Sequence, residues 1–110
     1  MTDLRLYLLQ RASAALMLPL IVIHLIVIYY ATSKGLSAAD VLSRTRGSFV
    51  WGAFYTLFVL LAAVHAAIGV RVILREWTSL ATSARDGLAI TFALGLLLLG
   101  LRAVAAVVLP

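Results

Sequence analysis

Residues 47–70 read GSFVWGAFYTLFVLLAAVHAAIGV, a run of 24 residues with no formal charge, closed by Arg46 on one side and Arg71 on the other. About 20 residues of helix cross the hydrocarbon of a bilayer, so this run is long enough to span it. Ala12 to Ser33 is a second such run, 22 uncharged residues between Arg11 and Lys34. A third, Gly87 to Leu101, meets Arg102 after 15 residues and is continued by Ala103 to Leu109. An arginine so near a helix end can extend its guanidinium to the interface. The chain therefore reads as an all-α membrane protein, a single transmembrane domain over 1–110 with helices at about 8–32, 48–75 and 87–109.

Composition agrees. Of the 110 residues 65% are hydrophobic and only 12% charged, with a mean hydropathy of +1.14. A soluble domain carries about half apolar and a quarter charged residues. A disordered chain, a nucleic-acid module and a typical soluble enzyme are excluded on this ground. The net charge of +5 does not restore nucleic-acid binding, because the nine basic residues sit at the edges of the apolar runs, where they set topology. The absence of cysteine removes disulfides, cysteine-ligated zinc, iron–sulfur ligation and thiolate catalysis from this chain.

Local signals fill in the connections. The first run is too long for a signal peptide and no small-residue cleavage site follows it, while Tyr29-Tyr30 reads as an interfacial belt. Pro19 is expected to bend the first helix. Ser37 is placed to cap a short helix beginning at Ala38, and Asp86 to cap the third span. Arg5, Arg11, Arg71, Arg75 and Arg85 fall on the N-terminal side, against Lys34, Arg44, Arg46 and Arg102 on the other, a balance that leans toward a cytoplasmic N-terminus. Arg71 and Arg75, four apart, read as interfacial charges facing anionic lipid or a docked subunit. Helix 2 carries Gly52, Ala53, Ala62, Ala63, Ala66, Ala67 and Gly69 on more than one face, which suits a place inside a larger helical bundle formed with a partner subunit. Ordinary membrane-helix composition accounts for the same residues equally well.

Two histidines lie within the spans, His24 and His65. An ionisable group in the membrane is costly and marks a haem ligand, a proton relay or hydrogen-bonded glue between helices. Their neighbours differ. The face of His65 includes Ala62 and Gly69, which leave clearance for a flat macrocycle, whereas Leu20, Ile21, Val27 and Ile28 crowd His24. This favours His65 as ligand and His24 as a structural residue. Measured from the N-terminal side, His24 lies about 20 Å deep and His65 about 15 Å, so one haem shared by both is permitted by height but not required. Glu76 follows His65 by 11 residues, three turns, and returns to within about 20° of the same face. Glu76-Trp77 could hydrogen-bond a quinone or pass protons at the boundary, or serve only as an interfacial anchor. Arg11, with Ser13 just behind it, could hold a haem propionate or a quinone carbonyl, or be a snorkelling flank.

These residues together resemble a family. Gln10-Arg11-Ala12-Ser13-Ala14 is similar to the opening of the membrane subunits of succinate dehydrogenase (respiratory complex II) and fumarate reductase. Phe49 to Trp77 resembles their second helix, with His65-Ala66-Ala67-Ile68-Gly69 and Arg75-Glu76-Trp77 matching its histidine–x–x–x–glycine segment and its acidic–aromatic ending. The similarity runs from about Leu8 to Leu80, and the third helix matches only as an apolar helix. The resemblance implies a membrane anchor of succinate:quinone oxidoreductase. Its partners would be a second membrane-anchor subunit, an iron–sulfur subunit and a flavoprotein subunit, in a respiratory lipid bilayer. It implies haem b, with His65 where the axial ligand to iron falls, and ubiquinone or menaquinone as substrate. Arg11 falls near the propionates and quinone, and Glu76-Trp77 falls where an aspartate–tyrosine pair borders the quinone. The chain departs there, since glutamate is longer and tryptophan offers an N–H but no phenolic hydroxyl. The short N-terminus and the acid–aromatic ending lean toward the smaller hydrophobic anchor. Relatives with two haems place a histidine in the first helix, which makes His24 a candidate ligand of a second haem. No transit-like leader is evident, which points to a bacterial inner membrane. Three other readings stand beside this one: a haem-free structural anchor, a cytochrome b subunit of another membrane dehydrogenase, and a small proton-coupled transporter.

Overall fold

The computed structural model describes residues 3–35 and 37–110. Four helices make up the described chain: α1 (Asp3–Ser33), α2 (Ala38–Thr45), α3 (Phe49–Trp77) and α4 (Thr82–Val108). Three of them, α1, α3 and α4, are long and apolar enough to cross a membrane. The chain is thus an all-helical, multi-pass membrane protein. Helix α3 is the middle element, packed against α4 on one side and α1 on the other.

Several helix ends are closed by nearby polar groups, which satisfy backbone groups the helix itself leaves unpaired. At the end of α1, the Thr32 hydroxyl lies 3.0 Å from the carbonyls of both Ile28 and Tyr29 and can donate its one proton to either, and the Ser33 hydroxyl donates to that of Tyr30. Gly35 then turns the chain at φ +82°, a left-handed conformation that suits glycine. Ser37 caps α2 as the sequence predicts: its Oγ accepts from the Asp40 backbone N–H at 3.1 Å and donates to Asp40 Oδ2 at 2.6 Å. Ser48 caps α3 through the Trp51 N–H.

Helix α2 closes the C-terminus of α4. Thr45, 3% exposed, donates through Oγ1 to the Val107 carbonyl at 2.7 Å, and the Gly47 N–H donates to the Val108 carbonyl at 2.6 Å. Two orphan carbonyls of α4 are thereby satisfied by residues 62 and 61 positions away in sequence. Replacing Thr45 with valine, which keeps the shape and removes the donor, is expected to destabilise this end by about 1 kcal/mol, read as a fall in the thermal midpoint of the detergent-solubilised protein.

Two expectations about charge are corrected. Asp86 does not cap the third span. The N-cap is Ala81, which makes no side-chain cap bond, and α4 begins at Thr82. Asp86 sits in the second turn, where its Oδ1 accepts from Arg71 Nε at 2.6 Å. Arg71, read as a charge facing lipid or a docked subunit, is instead paired across the α3–α4 seam. Residues 82–86, polar apart from Ala84, lie at the bundle's boundary, so the backbone can extend the helix there while the carboxylate serves the neighbouring arginine. Side-chain exposures of 18% for Arg71 and 44% for Asp86 place the pair at an accessible edge. Asp86→Asn is expected to cost about 1 kcal/mol, and less at high salt, in the same thermal measurement. Pro19 interrupts one backbone bond, but α1 runs through it unbroken.

Very little of this unit is internal. Among the described residues, Ala63, Ile68 and Ala89 are the buried apolar ones, and Ser13 and Thr45 the buried polar ones. Large apolar side chains face outward along all three spans, among them Leu16, Leu25, Ile26, Leu57, Ile90 and Leu98. Lipid, or the helices of another subunit, must cover them.

Candidate functional site

The antiparallel register of α1 and α3 decides which polar groups meet. Ser13, 3% exposed, faces α3 with its Oγ 3.3 Å from His65 Nδ1. The same hydroxyl donates to the Gln10 carbonyl at 3.0 Å. His65 is half-buried. Nδ1 makes the hydrogen bond of this ring, and Nε2 is left without a partner among the described residues.

Gly69, one turn beyond His65, widens the same place. A Cβ there would meet a single neighbouring atom, the Gln10 side-chain Nε2 at 3.6 Å. The other end of that amide, Gln10 Oε1, is buried with no hydrogen-bond partner. Buried polar groups are normally satisfied, so this one has hydrogen-bonding capacity left for something outside the chain. Reading the sequence residue by residue gave Gln10 no role of its own. Its signal was spacing: Gln10 and Ser13 are three apart on α1 and so share the face that meets His65 and Gly69.

The remaining residues singled out in the sequence lie apart from this contact. Arg11 is exposed on α1, its guanidinium carbon 5.7 Å from the centroid of the Tyr7 ring. Glu76 and Trp77 end α3 in exposed positions, Trp77 at 82% exposure. Eleven residues separate Glu76 from His65, about 16 Å along the helix, so the acid–aromatic pair borders the bundle's end while the imidazole lies within it.

His24 occupies a different level. Its ring meets Tyr55 and Phe58 edge-on, with centroids 6.0 and 5.5 Å away. Ser13 and His24 are 11 residues apart on α1, about 16 Å, and the two histidines are separated by about that much along the bundle. The register therefore sets His24 and His65 at different levels of the bundle. A cavity of about 330 Å³ adjoins His24, lined also by Tyr55, Phe58, Val59, Gly100 and Val104. His24 Nδ1 is buried and unpartnered beside it.

Among the described residues no three His, Cys, Asp or Glu side chains come together as a self-sufficient metal site. A haem iron asks less of the chain, because the macrocycle supplies four nitrogens and the protein one or two axial ligands. A half-buried imidazole with one nitrogen engaged and the other open, beside a glycine, fits that demand.

No curated protein and no solved structure matches the chain significantly. The sequence model of the succinate dehydrogenase/fumarate reductase transmembrane subunit matches residues 2–106, nearly the whole chain. With three apolar spans, an imidazole within the membrane and outer faces that need covering, the chain belongs to the family of succinate dehydrogenase/fumarate reductase transmembrane subunits.

Proposed function

We propose that this chain is a membrane-anchor subunit of a succinate:quinone oxidoreductase that contributes His65 as an axial ligand to haem b and borders the quinone site. The observation that carries the reading is the Ser13–His65 contact, which engages Nδ1 and leaves Nε2 open inside an apolar bundle. Succinate oxidation belongs to a flavoprotein subunit, and the iron–sulfur clusters belong to another, since this chain has no cysteine to hold them. A second membrane-anchor subunit would complete the bundle and would supply a further ligand to the haem. The setting is a bacterial inner membrane with the N-terminus cytoplasmic.

Haem b, when bound, supplies a one-electron carrier within the membrane. The chain's own residues do the rest. Neutral His65 offers the Nε2 lone pair. Gly69 keeps the neighbouring surface clear. Arg11 offers a fixed cation for a propionate or a quinone carbonyl. Glu76 and Trp77 line the boundary through which ubiquinone or menaquinone and its protons pass, the carboxylate accepting and the indole N–H donating. Gln10 Oε1 is an acceptor for a quinol hydroxyl, which would satisfy its unspent capacity.

One observation also favours a second reading. A hydrogen bond between Ser13 and His65 is what a haem-free anchor would use as glue between α1 and α3. Haem per flavin in the complex purified through a tag on this chain separates the two. One haem per flavin supports the His65 assignment. Two assign His24 a second haem. Flavin without haem leaves the bare anchor, and no flavin removes the complex altogether.

A further inference from the structure

We infer that Ser13 is a positioning residue for His65: it holds the imidazole in the Nδ1–H tautomer and so keeps the Nε2 lone pair available to iron. The inference rests on the reading of His65 as a haem ligand and deepens it.

The argument is a count of protons. A serine hydroxyl carries one hydrogen and two lone pairs. In this bundle Oγ of Ser13 has two neighbours that can accept, the Gln10 carbonyl at 3.0 Å and His65 Nδ1 at 3.3 Å. The carbonyl has no proton of its own, so the closer contact is a hydrogen bond only if Ser13 donates to it. That spends the single hydroxyl proton. The second contact is then attractive only if Nδ1 carries a hydrogen and donates to Oγ; an unprotonated Nδ1 would set lone pair against lone pair. Ser13 is 3% exposed, so water is not at hand to resolve such a clash. A neutral imidazole protonated at Nδ1 is unprotonated at Nε2, the form that ligates a metal. The opposite tautomer would point an N–H at the iron.

The bond also fixes the ring plane. His65 is attached to the helix by two rotatable bonds, and a contact at Nδ1 removes rotation about the second. Partners of this kind, on the far nitrogen of a ligating histidine, typically change metal affinity about 10–100-fold. Ser13 sits on α1 and His65 on α3, so the helix pairing itself sets the ligand.

The test uses the intact complex carrying Ser13→Ala, Ser13→Thr or His65→Ala. It reads haem per flavin, the rate of haem loss to excess apomyoglobin, and the haem midpoint potential. Ser13→Ala is expected to lose haem about 10-fold faster than wild type. Its midpoint potential is expected to shift upward, because an imidazole that no longer donates from Nδ1 is a weaker electron donor to iron. Ser13→Thr, which keeps Oγ, is expected to restore both. Wild-type loss rate and potential in Ser13→Ala, alongside a haem-free His65→Ala, would overturn the role of Ser13 and leave the ligand assignment standing. Full haem in His65→Ala would overturn the ligand assignment instead. Should Ser13→Ala not assemble, the wild-type holo-complex still decides: an exchangeable proton on the ligand's Nδ1, seen by its hyperfine coupling to the ferric haem, is required, and its absence overturns the inference.

Discussion

A complex carrying His65→Ala is expected to retain its flavin and to hold about a tenth or less of the wild-type haem, read as pyridine haemochrome per flavin. The substitution removes the one open imidazole nitrogen at that level of the bundle. His24 cannot replace it, since it lies about 16 Å away and faces Tyr55 and Phe58. Packing suffers little: the lost Ser13 contact is worth about 0.6 kcal/mol, the average for interhelical hydrogen bonds in membranes. Assembly and haem content should therefore separate. His24→Ala is the matched comparison and is expected to leave one haem per flavin in place. If His65→Ala kept its haem and His24→Ala lost it, the two histidines would exchange roles.

The second large effect is expected at Gly100. A Cβ built there would stand 2.5 and 2.9 Å from the two methyls of Val59 and 3.3 Å from its Cβ. A β-branched side chain on a helix has one strongly preferred rotamer, so Val59 cannot swing aside. The backbones of α3 and α4 would have to part, against the tight packing that replaces the hydrophobic effect between membrane helices. Gly100→Ala is expected to cost about 1–3 kcal/mol, seen as a lowered thermal midpoint and reduced recovery of the complex. Gly95, on the same helix, has nothing within 4 Å of the corresponding position. Gly95→Ala is expected to be neutral or to gain up to about 1 kcal/mol from helix propensity. Equal effects at the two glycines would contradict close packing at Gly100.

Much of the local structure was legible because its causes are local. The spans follow from uninterrupted apolar length, and the short α2 follows from Ser37 three residues before Asp40. Asp86 shows where such reasoning stops. An aspartate before an apolar run is a fair cap signal, yet its stronger partner was Arg71, 15 residues back and on another helix. Gln10, named only as the first residue of the motif that opens α1, was given no role of its own for a similar reason. A glutamine near a helix start is ordinary, and only the nearby Gly69 and its unpartnered oxygen mark it out.

The sequence by itself determined a membrane protein of three apolar helices, with two imidazoles inside it and an acid–aromatic pair at one boundary. Tertiary structure decided which of these groups meet. The three spans are apolar on every side, so their periodicity does not single out an inward face. Register and facing were left to close packing, as where Gly100 meets Val59, and to a few interhelical bonds: Arg71 with Asp86, and Thr45 and Gly47 with the end of α4. That packing set Ser13 against His65, put His24 beside Tyr55 and Phe58, and separated the two histidines by about three turns. Hydropathy is a property of a segment, whereas register is a property of a pair of helices, and only contact between them can fix it.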